Sequence, residues 1–184
     1  HLVCAEQARD ALDLDGVIFM PAGNPVFKKH IEVSDAHHRV AMCRAAIEDN
    51  PAFDVSTLEV DRAGDTYTVD TLETLRAHYP ENVELYFIAG ADAILTLPQW
   101  RDAPRLARLA SFVGLNRPRS ASLQSPQIAK KLAGTGFRTL FVEAPLFELS
   151  SSDIRKRILG NRSVRYLIPP AVLEYIESVG LYGD

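Results

Sequence analysis

The sequence predicts an α/β protein: a doubly wound parallel sheet with helices on both faces. Two observations carry that expectation. Strands and helices alternate along the whole chain, and the strand segments are short, near-continuous apolar runs, as buried parallel strands require. A length of 184 residues suits one domain with a substantial core. No internal repeat, low-complexity tract or linker interrupts it, so residues 1–184 read as a single domain.

Residues 2–13 have helical patterning. The apolar run Gly16-Val17-Ile18-Phe19-Met20 follows as a buried strand, ending in the turn-forming Pro21-Ala22-Gly23-Asn24-Pro25. Ser34 is suited to cap a helix running to about residue 50, with Val40, Cys43 and Ile47 on one face. A strand region spans 53–60. The next helix covers 67–79 with Val69, Leu72 and Leu75 inward, and Pro80 stops it. The clearest strand, Glu84-Leu85-Tyr86-Phe87-Ile88-Ala89, opens into Gly90-Ala91-Asp92.

The second half continues the theme. Residues 101–110 read as helix and 111–116 as strand, and 117–125, rich in Arg, Ser and Pro, as a surface loop. Ser125-Pro126 is a cap followed by proline at the first helical position, and Gly134 ends that helix. Residues 139–143 form a strand. One helix follows Ser151, and a last one runs from Pro169-Pro170 to before Gly180. A doubly wound sheet normally opens on a strand, whereas this chain opens on a helix. The first strand is therefore expected to lie upstream of His1, which makes the chain an N-terminally truncated domain.

Composition narrows the function. A hydrophobic fraction of 47% and a charged fraction of 24% are those of an ordinary globular protein. No apolar run approaches the ~20 residues of a membrane helix. The opening His1-Leu2-Val3-Cys4 soon meets Glu6, Arg9 and Asp10, unlike a secretory signal. A net charge of −4 argues against a nucleic-acid binder held by backbone electrostatics, yet leaves room for a small anionic substrate. Cys4 and Cys43 lie on predicted helices among apolar neighbours. They read as small core residues of a cytoplasmic protein, a disulfide being the weaker alternative, and two cysteines alone make no metal site.

The most informative segment is Leu149-Ser150-Ser151-Ser152-Asp153-Ile154-Arg155-Lys156-Arg157, which opens a helix. Free N–H groups of a helix's first turn, with its dipole, make an anion site. A cap needs one hydroxyl, and three are present. Cations in the first turns oppose the helix dipole, a conflict that a bound phosphate resolves. Arg155 is the best-suited partner, because its planar fork fits a phosphate.

Leu149 to Arg155 resembles the Ile-Ser-Ser-Thr-x-Ile-Arg signature of the nucleotidyltransferases related to class I aminoacyl-tRNA synthetases, with Leu149 for Ile and Ser152 for Thr. The resemblance implies a Rossmann-like fold and a triphosphate held by Ser150, Ser151, Ser152 and Arg155. His1-Leu2-Val3 resembles the end of the superfamily's Gly-Gly-Thr-Phe-Asp-Pro-x-His-x-Gly-His motif, whose glycines and other histidine are absent here. Residues Pro21 to Lys28 resemble a Pro-Asn-x-x-Pro-Pro-His-Lys loop, with Phe27 where many relatives carry His. That implies ATP contact by Lys28, for which a solvated lysine is a serious competitor.

Thr66-Tyr67-Thr68-Val69-Asp70-Thr71-Leu72 closely resembles the Ser-Tyr-Thr-x-Asp-Thr-Leu segment of the bacterial nicotinate-nucleotide adenylyltransferase branch, in which the threonine at Thr68 holds the pyridine carboxylate. Otherwise Thr66 or Thr68 is simply a cap. Gly90-Ala91-Asp92 and Leu97-Pro98-Gln99-Trp100-Arg101 complete the expected pyridine-nucleotide set of Thr68, Gly90, Asp92, Trp100 and Arg101. The aspartate is expected on a ribose hydroxyl and the Trp on the pyridine ring, although a lone Trp is more often core. Asn116-Arg117-Pro118 resembles an Arg-Pro pair that places Arg117 near ATP. The stretch from Val164-Arg165-Tyr166-Leu167-Ile168-Pro169 to Gly180-Leu181-Tyr182 matches the branch's closing helix, with Arg165 and Tyr166 read as structural.

The resemblance runs in order over nearly the whole chain. It implies attack of the 5′-phosphate of nicotinate mononucleotide on the α-phosphorus of ATP, with His1 and Arg155 as catalytic groups. It also implies Mg2+ arriving with ATP, since no carboxylate cluster builds a protein metal cage. The expected partners are small nucleotides, with no nucleic acid or membrane, and a homo-oligomer is compatible. The alternatives are a phosphopantetheine adenylyltransferase, which would need neither residues 66–72 nor Trp100, and a nucleotide-binding module without catalysis.

Overall fold

Strands and helices alternate along the chain in the computed structural model, as the sequence predicts. It describes residues 1–25, 34–116, 125–145 and 149–183. The order is α1 (Leu2–Ala11), β1 (Val17–Phe19), β2 (Asn24–Pro25), α2 (Ala36–Ile47), β3 (Phe53–Val55), β4 (Asp65–Thr66), α3 (Thr68–His78), β5 (Tyr86–Gly90), α4 (Ala91–Leu95), α5 (Ala103–Leu106), β6 (Ser111–Asn116), α6 (Ser125–Leu132), β7 (Thr139–Glu143), α7 (Ser151–Leu159) and α8 (Pro170–Ser178). A 3-10 turn, Leu97–Gln99, links α4 to α5. Every strand pair described is parallel. Among the described residues no helix is long and apolar enough to cross a membrane.

The chain divides into two compact units. The first contains α1 and residues 62–146, with the sheet β5-β6-β7 and the small pair β2-β4. Phe112 and Val113 are adjacent on β6 and both fully buried. Neighbouring strand residues point to opposite faces, so β6 is covered on both. Phe112 joins Val69, Leu72, Ala91, Ile94, Leu97, Leu106, Ile128 and Leu132, a core drawn from α3 to α6. Val113 lies outside that cluster, and α1 packs against β6 and β7 through a helix that buries Ala5 and Ala8. At Gly114 a Cβ would stand 2.7 Å from the Phe141 ring and 3.5 Å from the Cα of Ala91, so β6 needs a glycine there for its neighbours to approach.

The second unit holds residues 16–23, 30–61 and 147–184. Its β1 and β3 pair in the register Val17↔Phe53, and the Phe19 and Phe53 rings meet edge to face at 5.2 Å. Helices α2 and α8 pack together and bury Val40, Ile47, Val172 and Ile176, while His38 Nδ1 and the Tyr175 hydroxyl lie 2.8 Å apart.

Several sequence expectations change at this level. The strand at 16–20 was expected to be buried, but Ile18 is 37% exposed, because among the described residues β1 pairs only with β3. Ser34 does not cap α2. Asp35 is the N-cap residue, without a side-chain cap bond, and the Ser34 hydroxyl instead meets that of Tyr182. The strand expected over 53–60 ends at Val55, since local bonds take over: Ser56 Oγ accepts from the Leu58 N–H and Thr57 Oγ1 donates to Asp61 at 2.6 Å. The helix expected over 101–110 shrinks to α5, which starts after Asp102 in the left-handed region at φ 49°. Pro126 takes the second helical position, because α6 begins at Ser125 itself. Gly134, at φ 78°, stands just past the end of that helix as expected. Cys4 and Cys43 are free and half-buried on α1 and α2, and burial raises the Cys43 thiol pKa, keeping it protonated.

Candidate active site

The start of α7 shows what the serine run does. Ser150 is the N-cap, and its hydroxyl both accepts from the Asp153 N–H at 3.1 Å and donates to the Asp153 carboxylate at 2.5 Å. The Asp153 carboxylate in turn accepts from the Ser150 N–H at 3.1 Å, which closes a capping box. Those hydrogen bonds hold the Asp153 pKa below the ordinary carboxylate value. One serine is therefore committed to the helix itself. Ser151 and Ser152 remain, both exposed.

Arg155, half-buried, turns its Nη2 back to Ser152 Oγ at 3.2 Å. A hydroxyl that accepts this bond keeps its own proton to donate. No described carboxylate forms an ion pair with Arg155. Ile154, between them, is buried and anchors the turn. The exposed Lys156 adds a second cation, and Arg157 reaches the Ser163 carbonyl at 3.3 Å. Asp153 opposes an incoming anion by its charge, so Arg155 and Lys156 have to offset it. Lys28 and Arg117, the other two expected ATP contacts, lie outside the described residues.

The other expected residues belong to the first unit. Helix α3 begins at Thr68, but neither Thr66 nor Thr68 is its cap: Tyr67 is, and it makes no side-chain cap bond. Thr66 Oγ1 is buried without a hydrogen-bond partner. Arg101, exposed, lays its guanidinium over the Tyr67 ring at 4.2 Å. Trp100 is half-buried, edge-on to Phe87 at 5.7 Å, and its indole N–H donates to Thr96 Oγ1 at 2.9 Å. The indole is thus held in one orientation and partly joined to the core. Gly90 is the N-cap of α4, a helix that sequence reasoning did not assign, and Asp92 stands exposed in its first turn. His1, exposed, is the N-cap residue of α1, without a side-chain cap bond.

Sequence reasoning missed the stacking of Tyr67 with Arg101, and the fork of Arg62, which donates to Thr71 Oγ1 at 3.0 Å and to the Asp70 carbonyl at 3.3 Å, bracing α3. Tyr67 lies inside the matched Thr66–Leu72 segment, and that was the available signal. Tyr166, read as structural, is 94% exposed at φ 66°, so its side chain does no packing. Among the described residues no group of three or more His, Cys, Asp or Glu side chains is placed to hold a metal ion.

The cytidylyltransferase-like family matches residues 1–157. A protein of Roseiflexus sp. (strain RS-1) named "Probable nicotinate-nucleotide adenylyltransferase" is 43% identical over 182 residues, 99% of this chain and 90% of its own length. Its namesake from Moorella thermoacetica (strain ATCC 39073 / JCM 9320) is 44% identical over 183 residues, covering 99% and 84%. The chain belongs to the cytidylyltransferase-like family, among the nicotinate-nucleotide adenylyltransferases. Its fold agrees with that membership. The Plasmodium falciparum nicotinic acid mononucleotide adenylyltransferase complexed with APC superposes with a TM-score of 0.74 at 20% identity, over 99% of this chain and 89% of the other. For the same enzyme complexed with NaAD the TM-score is 0.71 at 21% identity, over 97% and 90%. The adenylyltransferase therefore has the Rossmann-like nucleotidyltransferase fold that the sequence predicted.

Proposed function

We infer that this adenylyltransferase joins the AMP part of ATP to nicotinate mononucleotide, giving nicotinate adenine dinucleotide and pyrophosphate, a step of NAD synthesis. The observation that carries the phosphate half of the reading is the start of α7. Two exposed hydroxyls, first-turn amides and a guanidinium without a carboxylate partner among the described residues converge on one helix end.

In this reading an oxygen of the acceptor's 5′-phosphate forms a bond to the α-phosphorus, and the bond from that phosphorus to the bridging oxygen of pyrophosphate breaks. The nucleophile is already an anion, so no side chain has to deprotonate it or carry a covalent intermediate. What the protein supplies is orientation and neutralisation of charge on the phosphates. Ser151, Ser152 and Arg155 bind the leaving pyrophosphate part, with Ser150 holding the helix end in shape. Lys28 and Arg117 add cations for ATP, and His1 donates to the phosphates. ATP enters as its Mg2+ complex. Thr68, with the first-turn amides of α3, receives the pyridine carboxylate, Trp100 and Arg101 flank the base, and Gly90 and Asp92 meet its ribose. The reducing cytoplasm suits the two free thiols.

Pyrophosphate release is the assay. Arg155→Ala is expected to lower turnover with nicotinate mononucleotide by at least about a hundredfold, with an unchanged unfolding midpoint. Near-native turnover in that variant would remove Arg155 from the chemistry. Faster reaction with phosphopantetheine than with nicotinate mononucleotide in the native enzyme would overturn the choice of acceptor.

A further inference from the structure

Thr96 stands where two elements meet: it ends α4 and is the N-cap residue of the 3-10 turn Leu97–Gln99. A threonine at a helix start ordinarily turns its hydroxyl onto the amides that follow. This one does not cap the turn. Its Oγ1 donates to the Ala93 carbonyl at 2.7 Å and accepts from the Trp100 indole N–H at 2.9 Å. A hydroxyl has one proton, and the Ala93 carbonyl takes it, so an oxygen lone pair is left for the indole. The end of α4 thus sets the direction of the acceptor, and the acceptor sets the ring. Packing alone does not. The torsion between Cβ and an indole is broad and roughly two-fold, so an edge contact with Phe87 at 5.7 Å does not distinguish the ring from its flipped placement. The Thr96 hydroxyl does, because it gives the half-buried N–H its acceptor in one placement.

We propose that Thr96 is a positioning residue for nicotinate mononucleotide: its hydroxyl, aimed by the Ala93 carbonyl, selects the indole placement on which the pyridine base stacks. The inference rests on the reading of Trp100 as the platform for that base and deepens it. Affinity for the acceptor then depends on a side chain that acts through its neighbour. Without the hydroxyl the ring samples both placements, and binding has to select one of them again. A threonine that served the fold alone would behave differently, its replacement affecting stability and not the substrate constants.

The test compares T96V, which keeps the branched shape and removes both hydrogen bonds, with T96S, which keeps them. Trp100 is the only tryptophan of the sequence, so tryptophan emission reports on this indole alone. Titration of nicotinate mononucleotide against that emission is expected to give T96V a Kd about fivefold above native and T96S a Kd near native. Free T96V is expected to show lower emission anisotropy than native enzyme or T96S. In steady-state kinetics KM for nicotinate mononucleotide is expected to rise in T96V by a similar factor, with KM for ATP and kcat little changed. Added to W100A, T96V is expected to cost nothing more, because the ring through which it acts is gone. Should T96V fold poorly, T96A, which introduces no new methyl group, carries the same expectations. A silent T96V beside a harmful W100A overturns the positioning role and leaves the platform standing. So does a T96V loss that T96S fails to restore, that falls on both substrates alike, or that persists in full on top of W100A. A silent W100A, or one that raises both KM values equally, instead removes the platform, and the inference with it.

Discussion

Trp100, the proposed platform for the pyridine base, is also a packing residue. Its indole N–H is tied to Thr96 and its ring meets Phe87 edge-on, so part of the ring belongs to the core while the residue stays half-exposed. An indole held this way loses little freedom when a flat base docks on it, which favours binding. Truncation of a fully buried aromatic costs about 3–5 kcal/mol, and a half-buried one less. Trp100→Ala is therefore expected to lower the unfolding midpoint and to raise KM for nicotinate mononucleotide several times more than KM for ATP. Steady-state kinetics with each substrate varied checks it, and an equal rise in both constants would end the platform assignment. The sequence offered Trp100 as a candidate through the resemblance of Leu97-Pro98-Gln99-Trp100-Arg101 to the nicotinate-nucleotide branch. It could not show the Thr96 bond, which forms only because the 3-10 turn brings two residues four apart together.

At the scale of the element, α7 resolves a tension legible in its sequence. Cations in the opening turns work against the helix dipole, and the capping box of Ser150 and Asp153 offsets that with an acid at the correct end. Because the folded-state pKa of Asp153 is depressed, the box contributes stability in full above the ordinary carboxylate pKa. The contribution is lost as the pH falls through the depressed value. Native protein is accordingly expected to be more stable than Asp153→Asn near neutrality, with the two urea-unfolding curves converging in acid. A difference that persists in acid would show that the box acts through something other than the ionised carboxylate. The other helices were legible to differing degrees. Helix α3 was correct within a residue at each end, because a strong apolar stripe precedes Pro80. Helix α4, five residues long, was missed because too few positions exist to show a period.

At the scale of the molecule, the residues assigned to the pyridine nucleotide are in one unit and the α7 helix end is in the other. Ligand binding to the native state alone raises stability by mass action, by about 2.7 kcal/mol at a hundred times Kd. For a chain of 184 residues that corresponds to a midpoint shift of roughly 5–10 °C. Mg2+-ATP is expected to produce such a shift in the native enzyme and in Trp100→Ala, and a much smaller one in Arg155→Ala. Calorimetry at matched ATP concentrations reads this directly, and an undiminished shift in Arg155→Ala would place the triphosphate elsewhere.

The sequence by itself determined the alternation of parallel strands and helices, the limits of β6 and β7, and the order of the motifs that mark the family. Each of these is written locally, in apolar runs of strand length and in turn residues at fixed offsets. The tertiary structure decided which candidates are free to act. Ser150 is engaged by the cap while Ser151 and Ser152 are not, Tyr67 rather than a threonine heads α3, and the Asp92 carboxylate lies over Gly90. Such outcomes depend on which donors and acceptors meet after folding, and a one-dimensional pattern of residue types does not carry that information.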